Sequence, residues 1–187
     1  SSEELVRLAV ANLVDLVAVA RELGVSVETI QAGLAGFEGI GRRFQARSGC
    51  RVAGTEVMLV DDYGHHPREL AATLEAVRAG WPDRRMVLAF QPHRYSRTQD
   101  AFDDFVAVLS QVDALILCEV FAAGEQPIVG ADGRALTRAI RARGQVDPVF
   151  LEQVEELPQV LQGIVSNGDI VVTMGAGNIG QVAAAMT

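Results

Sequence analysis

The sequence predicts an α/β fold, in which a mostly parallel sheet carries helices on both faces and two further helices precede it. Short, nearly continuous apolar runs are typical of strands that are buried on both faces of a parallel sheet. These runs alternate with amphipathic segments of about 10–15 residues, which indicates crossover helices. The predicted strands are VMLVDD (57–62), RMVLAF (85–90), DALILCEV (113–120), DPVFL (147–151) and DIVVTMG (169–175).

Two helices are predicted ahead of the sheet. Residues 1–24 carry apolar side chains at helical spacing and end at Gly24, a residue suited to a helix C-terminus. Residues 25–37 form the second helix, with Ser26 as its N-cap.

A glycine-broken turn, GIGRRF (39–44), is the predicted domain boundary. It separates the helices of 1–38 from an α/β domain at 39–187. Residues 43–60 indicate a hairpin that leads into the first apolar strand, with Ser48-Gly49 as its turn.

The helices of the α/β domain follow its strands. Pro67 suits the first turn of a helix at 67–81. The segment around 98–111 has its apolar residues on one side, and Gly144 ends a helix at 131–144. Two further helices are predicted at 157–168 and 178–186.

The composition excludes several classes of function. The net charge of −8 argues against nucleic acid or an anionic membrane as the main partner. All 16 Lys and Arg residues are arginine, so this sequence has no lysine for a P-loop or for lysine-based covalent catalysis. Cys50 and Cys118 do not make a disulfide framework, which favours a cytoplasmic location. No apolar stretch approaches the roughly 20 residues of a membrane span.

Four predicted loops are candidates for a ligand site. In open α/β sheets, ligands bind outside the carboxyl ends of the strands. Three of the four loops at that edge carry unusual polar side chains, which ordinary turns explain poorly. The loops are DDYGHHP (61–67), QPHRYSRT (91–98), EVFAAGEQPIVG (119–130) and GAGNIG (175–180).

The loop QPHRYSRT allows two interpretations. His93, Arg94 and Arg97 could converge on one carboxylate or phosphate, because a guanidinium offers bidentate hydrogen bonds to such groups. Alternatively, the arginines pair at the surface with acidic neighbours. Those neighbours are Asp103, Asp104 and Glu125.

GAGNIG matches the G-x-G-x-x-G pattern of dinucleotide-binding turns, but its context argues against that function. The fingerprint belongs to a first βαβ unit and requires an acidic residue about 20 positions later. This sequence ends at Thr187. A tight turn that presents backbone amides at a helix N-terminus is still expected, and such a turn could receive an anion.

DDYGHHP also allows two interpretations. Its carboxylates and histidines could belong to a metal site, although no helical His-x-x-x-His spacing is present and the arginines beside His93 oppose a cation. In the structural alternative, Asp62 caps the turn and Pro67 begins the helix. The candidate metal ligands are Asp61, Asp62, His65, His66, His93 and Glu119.

The motifs together resemble the C-terminal domain of the Mur ligases. They are, in order, GRRF, DDYGHHP, FQPHRYSRT, DDF, EVFAAGE, GADGR and GAGNIG. The resemblance covers 39–187, and residues 1–38 resemble the last two helices of the family's central ATPase domain. It implies a Rossmann-like, amino-acid-binding domain of an ATP-dependent amide-bond ligase in peptidoglycan synthesis. The most similar members add L-alanine to UDP-N-acetylmuramate.

The resemblance also implies roles for residues and cofactors. The L-alanine pocket would be lined by Tyr63, His65, Arg94 and Arg97. ATP would be contacted by Arg43, Asp61 or Asp62, and Asn12. The family's His-Asn-x-x-Asn adenine pattern reads LAVAN at 8–12, so only Asn12 matches it. ATP, Mg²⁺ and UDP-N-acetylmuramate would be bound mainly by other domains, and this chain alone would be inactive.

Two hypotheses from other classes stay open beside the ligase. The first is a free-standing module that binds a small carboxylate or a nucleotide. The second is a metal-dependent hydrolase built on the His/Asp cluster. Stoichiometric metal would support the hydrolase, and a P-loop elsewhere in the full protein would support the ligase.

Overall fold

The computed structural model describes residues 17–35, 41–52 and 54–186, and it has the predicted α/β architecture. Six strands form one sheet in the order β1-β2-β6-β3-β4-β5. The edge strand β1 runs antiparallel to β2, and all other neighbours are parallel. The strands are β1 (Gln45–Val52), β2 (Thr55–Asp62), β3 (Met86–Phe90), β4 (Ala114–Cys118), β5 (Val149–Leu151) and β6 (Ile170–Met174).

Helices cover the sheet and also precede it. Residues 17–22 are helical, Gly24 has φ +80°, and the Ser26 hydroxyl accepts from the Thr29 amide at the start of α1, as predicted. No helix in the described ranges is long and apolar enough to cross a membrane. The named helices are α1 (Val27–Ala35), α2 (Pro67–Gly80), α3 (Tyr95–Asp100), α4 (Phe102–Leu109), α5 (Gly133–Arg143), α6 (Leu157–Gln162) and α7 (Ile179–Ala185), with a 3₁₀ turn at Val154–Glu156.

The sheet divides the core into two layers. Alternate residues of a strand face opposite sides, so Met86, Leu88 and Phe90 of β3 pack with α2, α4 and α5. Val87 and Ala89 pack on the other face with α6 and α7. All five of these residues are at most 1% exposed. The central strands are buried on both faces, which explains their continuous apolar sequences.

The predicted hairpin turn at Ser48-Gly49 is wrong. Strand β1 continues through these residues to Val52, which pairs with Thr55 of β2. The register shifts just before Cys50, and Gly49 has φ +70°. The small, flexible pair therefore forms a β-bulge, a feature that favours the same residues as a turn does.

Two predicted helices differ from those in the structure, one because it is divided into two helices and one because it is shorter. The segment around 98–111 is two helices, α3 and α4, which meet at Ala101 with φ −114°. The helix predicted at 157–168 ends at Gln162, beyond which the chain turns towards β6. Residues 36–40 lie outside the described ranges, so the division of the chain after residue 38 stays a prediction.

Candidate functional site

Three of the candidate loops meet at the carboxyl edge of the sheet. The loop after β3 and the loop after β4 are joined by backbone hydrogen bonds: Arg94 N–H donates to the Phe121 carbonyl at 2.9 Å, and Phe121 N–H donates to the Pro92 carbonyl at 2.8 Å. The Gln91 amide donates to the Met174 carbonyl of β6 at 3.0 Å. The backbone therefore fixes these loops relative to one another.

A row of aromatic rings connects the loops. The Tyr63 and His65 ring centroids lie 5.5 Å apart, and His65 and His93 are also 5.5 Å apart. His93 in turn lies nearly parallel to Phe121, with centroids at 5.6 Å and an interplanar angle of 13°. Two residues predicted for the L-alanine pocket thus contact each other, and Phe121, which was not predicted, closes the row.

The two predicted arginines have different partners. Arg97 Nη1 donates to the His93 carbonyl at 3.2 Å and lies 3.3 Å from His93 Nδ1. Arg94 Nη1 lies 3.8 Å from Glu125, which confirms one of the predicted surface pairs. Among the residues that the structure describes, no acidic side chain forms an ion pair with Arg97. Within the described residues, the positive charge of the Arg97 guanidinium is therefore not neutralised by an ion pair.

Glu125 also holds the start of α3. Its carboxylate accepts from the Ser96 amide at 2.9 Å and from the Ser96 hydroxyl at 2.7 Å. These bonds, together with Arg94, hold the pKa of Glu125 below its usual value. Arg94 itself has φ +73° and ψ 133°, a conformation that is strained for a residue with a side chain.

His93 is surrounded by basic groups. Burial lowers the pKa of His93, and the nearby His65, Arg97 and Arg94 lower it further, while Glu125 opposes the shift. At neutral pH the imidazole is therefore uncharged. A neutral ring can accept a hydrogen bond at one nitrogen, which a protonated ring cannot.

The start of α2 orients His65. Its Nδ1 lies 3.1 Å from the Tyr63 carbonyl, and its amide donates to Glu69 at 2.8 Å. Burial opposes a low pKa for Glu69, but hydrogen bonds from the His65 and His66 amides outweigh it and lower the pKa. Glu69 and His66 form a capping box at the start of α2.

A cleft of about 610 Å³ opens beside this cluster. Its walls come from the starts of α2 and α3 and from the first turn of α4. Its lining combines basic and acidic side chains, namely His66, Arg68, Arg94, Ser96, Arg97, Asp100, Ala101 and Asp104. The cleft is thus open to solvent and polar, as a site for a charged small molecule would be.

The two aspartates of DDYGHHP have different surroundings. Both oxygens of Asp62 accept backbone amides, from Gly64 and from Phe44, each at 2.7 Å. Asp61 instead accepts from Arg42 Nε at 3.1 Å and from the Thr173 hydroxyl at 2.8 Å. Asp62 therefore stabilises the turn, as the structural alternative held, whereas Asp61 has only side-chain partners.

Arg42 pairs with Asp61, whereas the ATP contact that the resemblance implies for its neighbour Arg43 stays a prediction. The guanidinium of Arg42 also donates to the Gly175 carbonyl at 2.6 Å. Arg43 lies 5.4 Å from the centroid of the Tyr63 ring and makes no ion pair within the described residues. GRRF offers two adjacent arginines, and residues 41–44 belong to no strand, so no alternation rule distinguishes them. Asn12, the other predicted nucleotide contact, lies outside the described ranges.

The glycine loop GAGNIG packs against the protein itself. Gly175 has φ +142°, and a Cβ at Gly177 would lie 2.8 Å from Phe121. Gln91 accepts from the Ile179 amide at 3.1 Å and donates to Asn178 at 2.8 Å. The turn is tight, as predicted, but its second glycine gives room to the Phe121 side chain.

The proposed metal ligands are dispersed. Asp62 is committed to two backbone amides, and Glu119 accepts from the Val120 and Gly133 amides at 2.7 and 2.9 Å. His66 caps α2 through the Arg68 amide. In the part of the chain that the structure describes, no three His, Cys, Asp or Glu side chains come together in a way that could hold a metal ion.

Several known proteins are similar to this chain. The UDP-N-acetylmuramate–L-alanine ligase of Methylococcus capsulatus is 57% identical over 174 residues, which are 93% of this chain and 37% of that protein. The enzyme of the same name from Neisseria meningitidis serogroup A is 56% identical over 178 residues, which are 95% of this chain and 38% of that protein. The chain thus spans less than two fifths of the length of these relatives.

Solved structures have the same fold. The UDP-N-acetylmuramate–alanine ligase of Thermotoga maritima superposes with a TM-score of 0.71 at 24% identity, over 95% of this chain and 36% of that one. A folylpolyglutamate synthase/dihydrofolate synthase of Yersinia pestis gives 0.58 at 18% identity, over 87% of this chain and 34% of that one. Residues 42–177, which are most of the chain, match the family described as Mur ligase, glutamate ligase domain. The chain therefore belongs to the Mur ligase family.

Proposed function

We propose that this chain holds the amino acid in an ATP-dependent ligase that joins L-alanine to UDP-N-acetylmuramate. The ligase names of its curated relatives support this proposal. Because the chain spans a limited part of those relatives, the UDP-sugar, most of the ATP and the Mg²⁺ would be bound by the remainder of the enzyme. The nucleotide substrates agree with a cytoplasmic location.

One observation carries the proposal, namely the guanidinium of Arg97. It lines the cleft, is held on one side by His93, and has no acidic partner among the described residues. A planar guanidinium can give two parallel hydrogen bonds to a carboxylate, which is the group that every amino-acid substrate presents. Arg94 adds a second positive charge, which Glu125 partly offsets at 3.8 Å. Arg94 and Arg97 together therefore suit the binding of one carboxylate group.

His65 supplies a group for the incoming amine. Its Nδ1 lies 3.1 Å from the Tyr63 carbonyl, which can only accept, so Nδ1 carries the proton when the ring is neutral. The lone pair then lies on Nε2. His65 lies outside the cleft lining, with its ring 5.5 Å from that of His93, and its lone pair can accept a hydrogen bond from the amine of a substrate that extends beyond the cleft and orient it towards an acyl phosphate. Tyr63 contacts this ring edge-on and restricts its rotation.

For the nucleotide, the surroundings favour Asp61 over Asp62. Each aspartate accepts one hydrogen bond at each oxygen, but the Arg42 and Thr173 side chains that donate to Asp61 can rotate to admit ribose hydroxyls, whereas the backbone amides that donate to Asp62 cannot. Asp61 also lines a small cavity of about 90 Å³ together with Arg42. The guanidinium of Arg42 opposes a cation at this position, so Mg²⁺ is expected on another domain.

A chimeric enzyme tests the proposal. In this ligase chimera, the chain replaces the matching segment of the Methylococcus capsulatus enzyme, and ligation is measured with L-alanine, glycine, L-serine and L-glutamate. We expect preference for L-alanine, and Arg97→Ala should raise the KM for L-alanine about 10- to 100-fold, because a charge-assisted hydrogen bond is lost.

A matched control and two contrary outcomes complete the test. Arg78→Ala removes an arginine beside the amino end of β3, where its partner Asp113 also accepts from the Met86 amide, and it should leave the KM for L-alanine unchanged. A folded chimera that prefers another amino acid, or that forms no amide product, would contradict the proposal. Binding of L-alanine without ligation would instead favour the small-carboxylate binding module.

A further inference from the structure

His93, the residue that holds Arg97, has no role in the proposed function described above. Both acceptors of Arg97 Nη1 come from His93: the carbonyl oxygen at 3.2 Å and the ring nitrogen Nδ1 at 3.3 Å. His93 does not line the cleft, whereas Arg97 does. The imidazole therefore acts on a ligand in the cleft only through the guanidinium that it holds.

We infer that His93 is a positioning residue, whose neutral imidazole fixes the Arg97 guanidinium for the carboxylate of the amino-acid substrate. This inference rests on the proposed function. With one guanidinium nitrogen tethered to His93, the orientation of the planar group is set before the substrate arrives. An oriented guanidinium loses less conformational entropy when it binds a carboxylate.

The chemistry of the contact defines the state of the ring. An arginine has only N–H donors, so Nδ1 of His93 must accept, and the proton of the neutral ring lies on Nε2. Protonation at Nδ1 would remove the acceptor and place a cation against Arg97. The groups that face the ring, namely His65, Arg94, Arg97 and Glu125, lower the pKa of His93 in sum, together with its burial. They keep the accepting form at neutral pH.

Elements from two other loops brace the ring. Phe121 lies beside it at an interplanar angle of 13°, and the backbone at His93 forms a parallel bridge with the backbone at Phe121. Phe121 in turn packs where a side chain at Gly177 would stand. The loop after β4 and the glycine loop after β6 thus set the plane of the imidazole.

Two substitutions of His93 distinguish the effect of its hydrogen-bond acceptor from the effect of its aromatic ring. In the ligase chimera, His93→Asn keeps an oxygen close to the position of Nδ1 and lacks the ring, whereas His93→Phe keeps a ring beside Phe121 and lacks the acceptor. We expect His93→Phe to raise the KM for L-alanine about 5- to 10-fold, as loss of one orienting hydrogen bond would. His93→Asn should stay within about 2-fold of the unsubstituted chimera. The KM for UDP-N-acetylmuramate and the thermal midpoint should change little in either variant.

The pH profile distinguishes positioning from a purely structural role. Burial and the nearby His65, Arg97 and Arg94 hold the pKa of His93 below its ordinary value. As pH falls through this lowered pKa, protonation of His93 removes the acceptor, so the KM for L-alanine should rise in the unsubstituted chimera. His93→Asn should lack this component. The other ionisable groups are the same in both proteins, so the ratio of the two KM values isolates His93. A ratio that stays constant from neutral pH down to the lowest pH at which both chimeras remain folded would contradict the inference, as would a KM that rises in His93→Asn and not in His93→Phe.

Arg97→Ala, His93→Phe and the double variant that combines them distinguish a failure of this inference from a failure of the proposed function. If Arg97→Ala alone leaves the KM for L-alanine unchanged, the proposed function fails. If Arg97→Ala raises it and His93→Phe does not, only the positioning role fails. If both raise it, His93→Phe should add less than 2-fold in the Arg97→Ala background, because its effect passes through Arg97. Full additivity would overturn the positioning role.

Discussion

Asp62→Ala is expected to destabilise the chain by about 2–4 kcal/mol. The Asp62 side chain is nearly buried, at 7% exposure, and its two oxygens accept the Gly64 and Phe44 amides at 2.7 Å each. A hydrogen bond to a charged group contributes about 1.5–3 kcal/mol, and partial relaxation of the two amides towards water reduces the sum. At about 2–4 °C per kcal/mol for a chain of this length, the thermal midpoint should fall by about 4–16 °C.

Asp61→Ala is the matched control for this prediction. Its partners keep other acceptors, because Arg42 also donates to the Gly175 carbonyl and the Thr173 hydroxyl lies 3.5 Å from the Val60 carbonyl. We therefore expect a loss of only about 1 kcal/mol. Urea unfolding can be followed through Trp81, the single tryptophan, which packs at the end of α2. Equal losses in the two variants, or a loss below about 1 kcal/mol for Asp62→Ala, would refute the structural role of this carboxylate.

Three further predictions concern backbone and charge. Gly133→Ala should destabilise the chain by about 1–3 kcal/mol in urea unfolding, because the added Cβ would lie 2.6 Å from a β4 carbonyl oxygen. Gly80→Ala has open space around it and should instead stabilise the chain by about 0.5–1 kcal/mol. Arg94→Gly should be about 1 kcal/mol more stable than Arg94→Ala, since φ +73° strains any residue with a Cβ; equal stabilities would contradict this. Arg97→Lys should raise the KM for L-alanine of the ligase chimera about 10-fold, because one ammonium cannot keep the His93 tether and also bind a carboxylate bidentately. An unchanged KM would count against bidentate binding.

Local sequence patterns predicted most of the fold. Strands buried on both faces appear as continuous apolar runs, and their helices carry proline and glycine signals at the ends, so the elements are visible without tertiary information. The prediction of a hairpin turn at Ser48-Gly49 was wrong because a turn and a β-bulge both require a residue that can adopt a positive φ. Only the pairing of β1 with β2 distinguishes the two, and pairing is a long-range property.

The site was predicted less completely than the fold. The rule that ligands bind at the carboxyl ends of strands selected loops that the structure brings together, and alternation along β2 explains why Asp61 and Asp62 face different partners. The pairing of Arg42 with Asp61 was not predicted, because it depends on the path of a turn, which has no periodicity. Phe121 was missed because an aromatic residue in a polar loop gives no signal until the backbone bridge brings it beside His93.

The partners of the two arginines determine which anion the cleft suits. Arg94 has a carboxylate at 3.8 Å, so Glu125 partly offsets its charge, whereas Arg97 is held by a neutral imidazole that offsets none. These four side chains together carry about one uncompensated positive charge, which matches one carboxylate better than a doubly charged phosphate. A second acid in place of His93 would hold Arg97 equally well but would neutralise it. The imidazole thus provides orientation while the charge of Arg97 remains available to the substrate.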